Sequence, residues 1–131
     1  MSIRYHQISA DEVAEKVRDV LTTMPEVRIA VLFGSVTRRK FVRDVDVGVC
    51  LDPEPELKGL IRIINVLEDA LGMPVDVVPL RKASPKLRLK ALLKGVRLIV
   101  RDRELYAFLV SEALSEAVDM DVKLNTVGVR N

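Results

Sequence analysis

Asp44 and Asp46 open an apolar run, D-V-D-V-G-V-C-L, and Asp76 stands among the valines of another, V-D-V-V. A carboxylate inside an apolar run is costly to bury unless it is paired or ligates a cation. In an extended chain residues two apart share a face, so Asp44 and Asp46 point one way while Val45, Val47 and Val49 point the other. If the strand bearing Asp76 lies beside theirs, three oxygen donors converge. Such a set suits magnesium or manganese. Two such ions would bridge a nucleotide's phosphates and stabilise the attacking and leaving oxygens of an in-line displacement. Asp76 could also take the proton of an incoming hydroxyl.

The complement to these acids lies upstream, where Gly34-Ser35 ends the run V-R-I-A-V-L-F. A glycine at a strand end lets the backbone approach a phosphate closely. Ser35 Oγ and the free N–H groups of the following turn can then bind phosphate oxygens. Arg38 and Arg39, just beyond, could reach the same phosphates. Taken singly, each feature is commonplace: most D-x-D pairs at strand edges are solvated, most G-S pairs make only a turn, and most lone strand aspartates face water. Their order and spacing together favour a metal-nucleotide site.

The elements that must position these residues follow from patterning. Ser9 and Glu12 form a capping box ahead of Val13, Val17, Val20, Leu21 and Met24, predicting a helix over about 10–24 that Pro25 stops. Residues 27–33 and 44–51 read as strands, the first buried on both faces, with one helical turn over 36–40 between them. A helix over 56–71, with Leu57, Leu60, Ile61, Ile64, Leu67 and Leu71 as its core stripe and Gly72 as its C-cap, leads to a third strand over 75–80. A basic segment over 81–94 follows, its helix opening with Ser84 as N-cap and Pro85 at the first helical position and ending at Gly95. A fourth strand over 96–100 and a last helix over 104–119 complete the chain, and the residues after Asp121 are expected to fray. The expected architecture is an α/β sandwich, a mixed four-stranded sheet flanked by helices.

Composition narrows the chemistry. With 131 residues and no linker-like stretch, the chain is expected to form one domain. Cys50 is the only cysteine and His6 the only histidine, so cysteine- or histidine-based zinc sites and nucleophile–histidine triads lack their parts. Cys50, in an apolar strand, reads as packing. Residues 1–10 hold no signal-peptide core and no tract is long enough to span a bilayer, so a cytoplasmic location is expected, with no membrane partner. A net charge of +2 does not by itself argue for nucleic acid. The cations Arg81, Lys82, Lys86, Arg88, Lys90, Lys94 and Arg97 lack interleaved aromatics and read as a solvated face, or one attracting ATP or an acidic partner.

L-F-G-S-V-T-R, D-V-D-V-G-V and V-D-V-V together resemble the DNA polymerase beta superfamily of nucleotidyltransferases. More closely they resemble the minimal nucleotidyltransferases (MNT), small prokaryotic proteins often encoded beside a HEPN-domain partner. S-P-K-L-R-L-K-A-L-L-K-G-V-R-L-I-V-R-D extends the likeness, which covers about 27–102. The resemblance implies the nucleotidyltransferase fold. It also implies phosphate binding by Gly34, Ser35 and Arg38, and metal binding by Asp44, Asp46 and Asp76. Where the family's turn commonly reads G-S-x-A-R-G, this chain has Thr37 and Arg39, and its turn to Asp44 is shorter, departures that bear on turnover rather than on fold. The implied activity is transfer of AMP from magnesium-ATP to a hydroxyl, the implied acceptor a tyrosine of a HEPN toxin and the implied role that of an antitoxin. The alternative is a chain that keeps the fold but neutralises its partner by occlusion. The apolar residues Leu105, Tyr106, Ala107, Phe108, Leu109 and Val110 surround nearly the whole last helix and would suit a partner, or a second copy in a homo-oligomer.

Overall fold

The computed structural model describes residues 6–37 and 41–129, with side chains as far as Asp121. Strand β1 (His6–Gln7) is followed by helix α1 (Ala10–Thr22), β2 (Val27–Phe33), a 3₁₀ turn (Gly34–Thr37), β3 (Phe41–Val42) and β4 (Val45–Leu51). Then come α2 (Leu57–Leu71), β5 (Val75–Pro79), a second 3₁₀ turn (Leu80–Lys82), α3 (Pro85–Leu89), a π-helical segment (Lys90–Lys94), β6 (Val96–Val100) and α4 (Arg103–Val129). The mixed four-stranded sheet has the order β5-β4-β2-β6: β4 and β5 run parallel, and β2 is antiparallel to both its neighbours. The expected sandwich is therefore present. A small antiparallel ribbon that patterning does not predict, His6 opposite Val42 and Gln7 opposite Phe41, stands apart from the sheet.

Alternation along the strands divides the core. Val27, Ala30 and Leu32 of β2 and Val45, Val47 and Val49 of β4 face α1 and α2. Ile29, Val31, Phe33 and Cys50 face the other way, with Leu80, Ala91, Leu92 and Leu109. Asp46 shares the parity of Cys50, and Asp76 alternates with Val75 and Val77, which belong to the first layer. Both acids thus belong to the face covered by the segment after β5 and by α4.

The caps form as expected: Ser9 Oγ accepts from the Glu12 N–H, Ser84 Oγ accepts from the Leu87 N–H, and Gly72 ends α2 at φ +70°. Three expectations need correction. The stripe of α2 is rotated, with Ile63, Leu67 and Leu71 buried while Leu57 and Ile61 are 72% and 46% exposed, because the helix lies on α1 as well as on the sheet. The helix that opens at Pro85 is not regular as far as Lys94, since it passes from α3 (Pro85–Leu89) into the π segment Lys90–Lys94. The last helix runs to Val129 rather than ending near Asp119, and 122–129 are helical rather than frayed, Gly128 being the one helix-breaking residue in that stretch. Asp102 caps its start, accepting from the Leu105 N–H. Among the described residues, no helix is long and apolar enough to cross a membrane.

Two arginines tie the layers together. Arg101 donates to the carbonyls of Thr22, Met24 and Val27, closing the end of α1 against β2. Arg88 is buried, at 4% exposure. Its Nε donates to Leu80 O at 2.8 Å and its Nη2 to Arg81 O and Ala83 O, both at 3.1 Å. Its Nη1 meets Glu112 of α4 at 3.1 Å. Arg88 is therefore not part of a solvated basic face, and it fixes the path of the chain as it leaves β5. Arg88→Met should cost about 3 kcal/mol, because it strands those carbonyls without donors, while Lys86→Met at an exposed position should stay within about 0.5 kcal/mol. Urea unfolding of the two variants checks this, and equal midpoints would contradict it.

Candidate active site

The site forms where β2 ends and β4 and β5 begin. Asp46, the second residue of β4, lies opposite Phe33, the last residue of β2, and level with Asp76 on the parallel strand β5. Asp44 immediately precedes β4, two residues from Asp46 and so on the same side. The start of β5 is fixed from two directions. Glu68 of α2 accepts from the Val75 N–H at 2.9 Å, and Pro74 O accepts from the Val45 N–H at 3.0 Å. Asp76 thus follows a residue anchored to both neighbours.

Gly34 follows Phe33 with φ +81°, a conformation that costs glycine little and other residues a good deal. A Cβ at this position would overlap the Asp46 carboxylate. The glycine is therefore needed for its backbone and for its lack of a side chain. Beyond it, the 3₁₀ turn buries Val36 and leaves Ser35 half-buried. The Thr37 hydroxyl donates to Gly34 O at 2.8 Å, so the threonine that stands in place of the usual alanine closes the turn rather than disrupting it. Arg38 and Arg39 lie outside the described residues.

Burial pushes the Asp46 carboxyl up to about 6, and the negative charges of Asp44 and Asp76 push in the same direction, while the Lys90 ammonium opposes them. The carboxylates feel one another across the strand ends. Among the described residues, no three potential ligands are drawn together tightly enough to enclose an ion by themselves. The residues present nevertheless fit a hard divalent cation: the donors are all carboxylate oxygens, and Asp46 and Asp76 lie level on adjacent parallel strands. Beside them opens a cavity of about 430 Å³ lined by Phe33, Gly34, Thr37, Lys90, Lys94 and Val96. The sequence carries no local signal that Lys90 and Lys94 belong here. Their placement depends on the π turn and on β6 pairing with β2.

Arg81 and Lys82 lie 3.9 Å from Glu54, Arg88 is buried, and Arg97 stacks over the Tyr106 ring. Removing the Asp46 charge should stabilise the protein in the absence of metal. The raised carboxyl takes up a proton on folding between about pH 4 and pH 6, so ionised Asp46 costs stability above that window and nothing below it. Asp46→Asn should therefore be more stable than the parent by about 1–2 kcal/mol near pH 8, after allowance for partial solvation, and no more stable below about pH 4. Thermal melts in chelator at the two pH values check this, and a pH-independent difference would contradict it.

Residues 15–104 match the family described as Polymerase beta, Nucleotidyltransferase, a span that holds Gly34, Ser35 and all three aspartates. No curated protein matches the chain. One similar solved structure is tri-AMPylated Shewanella oneidensis HEPN toxin in complex with MNT antitoxin, at 20% identity over 90% of this chain and 94% of that one, with a TM-score of 0.71. Another is a toxin–antitoxin structure with AMP-PNP, at 21% identity over 87% and 94%, with a TM-score of 0.73. A minimal nucleotidyltransferase matches at 28% identity over 68% of this chain and 95% of its own, with a TM-score of 0.55. The mixed sheet and its flanking helices are thus those of a nucleotidyltransferase fold, and the chain belongs to the polymerase beta nucleotidyltransferase family.

Proposed function

We propose that the chain is a magnesium-dependent adenylyltransferase that moves AMP from ATP to a hydroxyl, the acceptor being a tyrosine of a HEPN-domain toxin. The observation that carries this reading is the level pairing of Asp46 and Asp76 on adjacent parallel strands, with Asp44 beside them and the bare backbone of Gly34 against Asp46. Divalent cations, held by Asp44, Asp46 and Asp76, would supply charge neutralisation at the phosphates. The chain's own residues do the rest. The N–H groups and Oγ at Gly34 and Ser35 bind phosphate oxygens, joined by Arg38 and Arg39. Asp76, exposed at the start of β5, accepts the acceptor hydroxyl's proton. The acceptor oxygen then bonds to the α-phosphorus as the bond to the bridging oxygen breaks. Pyrophosphate leaves with that electron pair.

The partner follows from the structural relatives, in one of which the HEPN toxin carries AMP groups and an MNT antitoxin is bound. A second reading, neutralisation by binding alone, is favoured by α4, where Phe108, Leu114, Val118 and Met120 are between 44% and 58% exposed. Those apolar side chains, spread around the helix, would seat the partner, or a second copy of this chain, whether or not AMP is transferred.

The two readings separate on one reaction. The purified chain, magnesium and ATP labelled at the α-phosphate are incubated with a HEPN protein encoded beside it. The expected outcome is label on that protein's tyrosine with the parent chain and at least a thousandfold less with Asp46→Asn, which lacks a ligand needed only for turnover. Neutralisation without label would leave the occluding antitoxin as the correct account.

A further inference from the structure

The cavity beside the acids has a second wall that the reaction above does not use. Lys90 and Lys94 line it, four residues apart on the π-helical segment, facing Gly34 and Thr37. π turns are rare, appear mostly as single-turn bulges within helices, and are frequent at functional sites. The inner residues of this one, Ala91 and Leu92, are buried at 0% and 1% exposure in the layer that holds Phe33. The Tyr106 hydroxyl of α4 donates to Leu92 O, clamping the segment from behind. At its end Gly95 donates to Ala91 O at 3.1 Å. A Cβ at Gly95 would overlap that same oxygen and come within 2.8 Å of Leu32 O. The segment is therefore pinned to the end of β2, and its two lysines are carried to the rim of the site.

Those lysines are exposed, and among the described residues neither makes an ion pair, whereas Arg81, Lys82 and Arg88 each have a carboxylate partner. Lys90 is near enough for its charge to act on Asp46. Along the sheet edge the order is Asp76 on β5, Asp46 on β4, Gly34 after β2, and then Val96 of β6 with the lysines above it. Acids lie on one side of Gly34 and free cations on the other. A triphosphate whose α-phosphorus sits at the acids, with the acceptor approaching over Asp76, can extend its β- and γ-phosphates only away from Asp76, across Gly34 toward the cations.

We propose that Lys90 and Lys94 bind the β- and γ-phosphates of the nucleotide and receive the charge that builds on the departing pyrophosphate. The assignment rests on the nucleotidyltransferase reading and gives a binding role to two residues outside its Gly34-Ser35 and aspartate motifs. Point-charge ammonium groups on flexible stems suit a polyphosphate that arrives and leaves. Lys90 also offsets the acids before any cation arrives.

Calorimetric titration of the full-length chain with ATP, inorganic tripolyphosphate and AMP, all in magnesium, tests this with Lys90→Met, Lys94→Met and Lys86→Met. Lys86 is exposed on α3 but does not line the cavity, so it controls for net charge. Lys90→Met and Lys94→Met should each weaken ATP and tripolyphosphate about tenfold or more and leave AMP within about twofold. Lys86→Met should change none of them. Parent-like ATP binding by both lysine variants, or an equal loss in Lys86→Met, would overturn the assignment while leaving the nucleotidyltransferase reading in place. Failure of the parent chain to bind ATP or tripolyphosphate would overturn both.

Discussion

Gly34 passes so close to the Asp46 carboxylate that no side chain fits between them, and the backbone there is held at φ +81°. That approach depends on β2 and β4 keeping a register in which Phe33 faces Asp46. A slip of one residue would turn Asp46 into the layer occupied by α1 and α2 and move the valines that now fill it to the opposite face. The register is enforced from both faces, since alternate residues of β2 and β4 are buried on opposite sides of the sheet. The position of one carboxylate against one glycine therefore draws on most of the core.

Charge works against this arrangement until a cation or substrate is present. Three carboxylates crowd two strand ends, and partial burial holds Asp46 near the top of the range in which it can still ionise at neutral pH. The fold accommodates the strain because the groups around the acids are fixed independently. Glu68 holds the start of β5, Arg88 holds its exit, and the π turn holds Lys90 where its charge opposes theirs. On the proposed reading, a divalent cation bound with an anionic nucleotide would relieve this repulsion.

Much of this was legible in the amino-acid order. Strand periods of two placed Asp44 and Asp46 on one face, and valine-rich flanks marked both strands. Ser9, Ser84 and Gly72 announced their helix ends, and each forms the expected cap. Features that escaped depend on contacts distant in sequence. Arg88 reads as one more cation in a basic helix, and only the meeting of α3, α4 and the exit of β5 shows that it is buried. Ile63 is hidden and Ile61 exposed because α2 touches α1, which helical periodicity alone cannot express. The π turn has no propensity signature, so the approach of Lys90 and Lys94 to the site could not be read before the sheet was assembled.

The central claim is that the three aspartates form one divalent-cation site that engages a nucleotide's phosphates. Manganese titration of the chain followed by electron paramagnetic resonance, with and without a non-hydrolysable ATP analogue, addresses it most directly, using Asp44→Asn and Asp76→Asn as variants. The account predicts manganese bound by the parent, tighter with the analogue, and weakened about tenfold or more by either substitution. Manganese binding that is indifferent to the analogue and to both substitutions would contradict it.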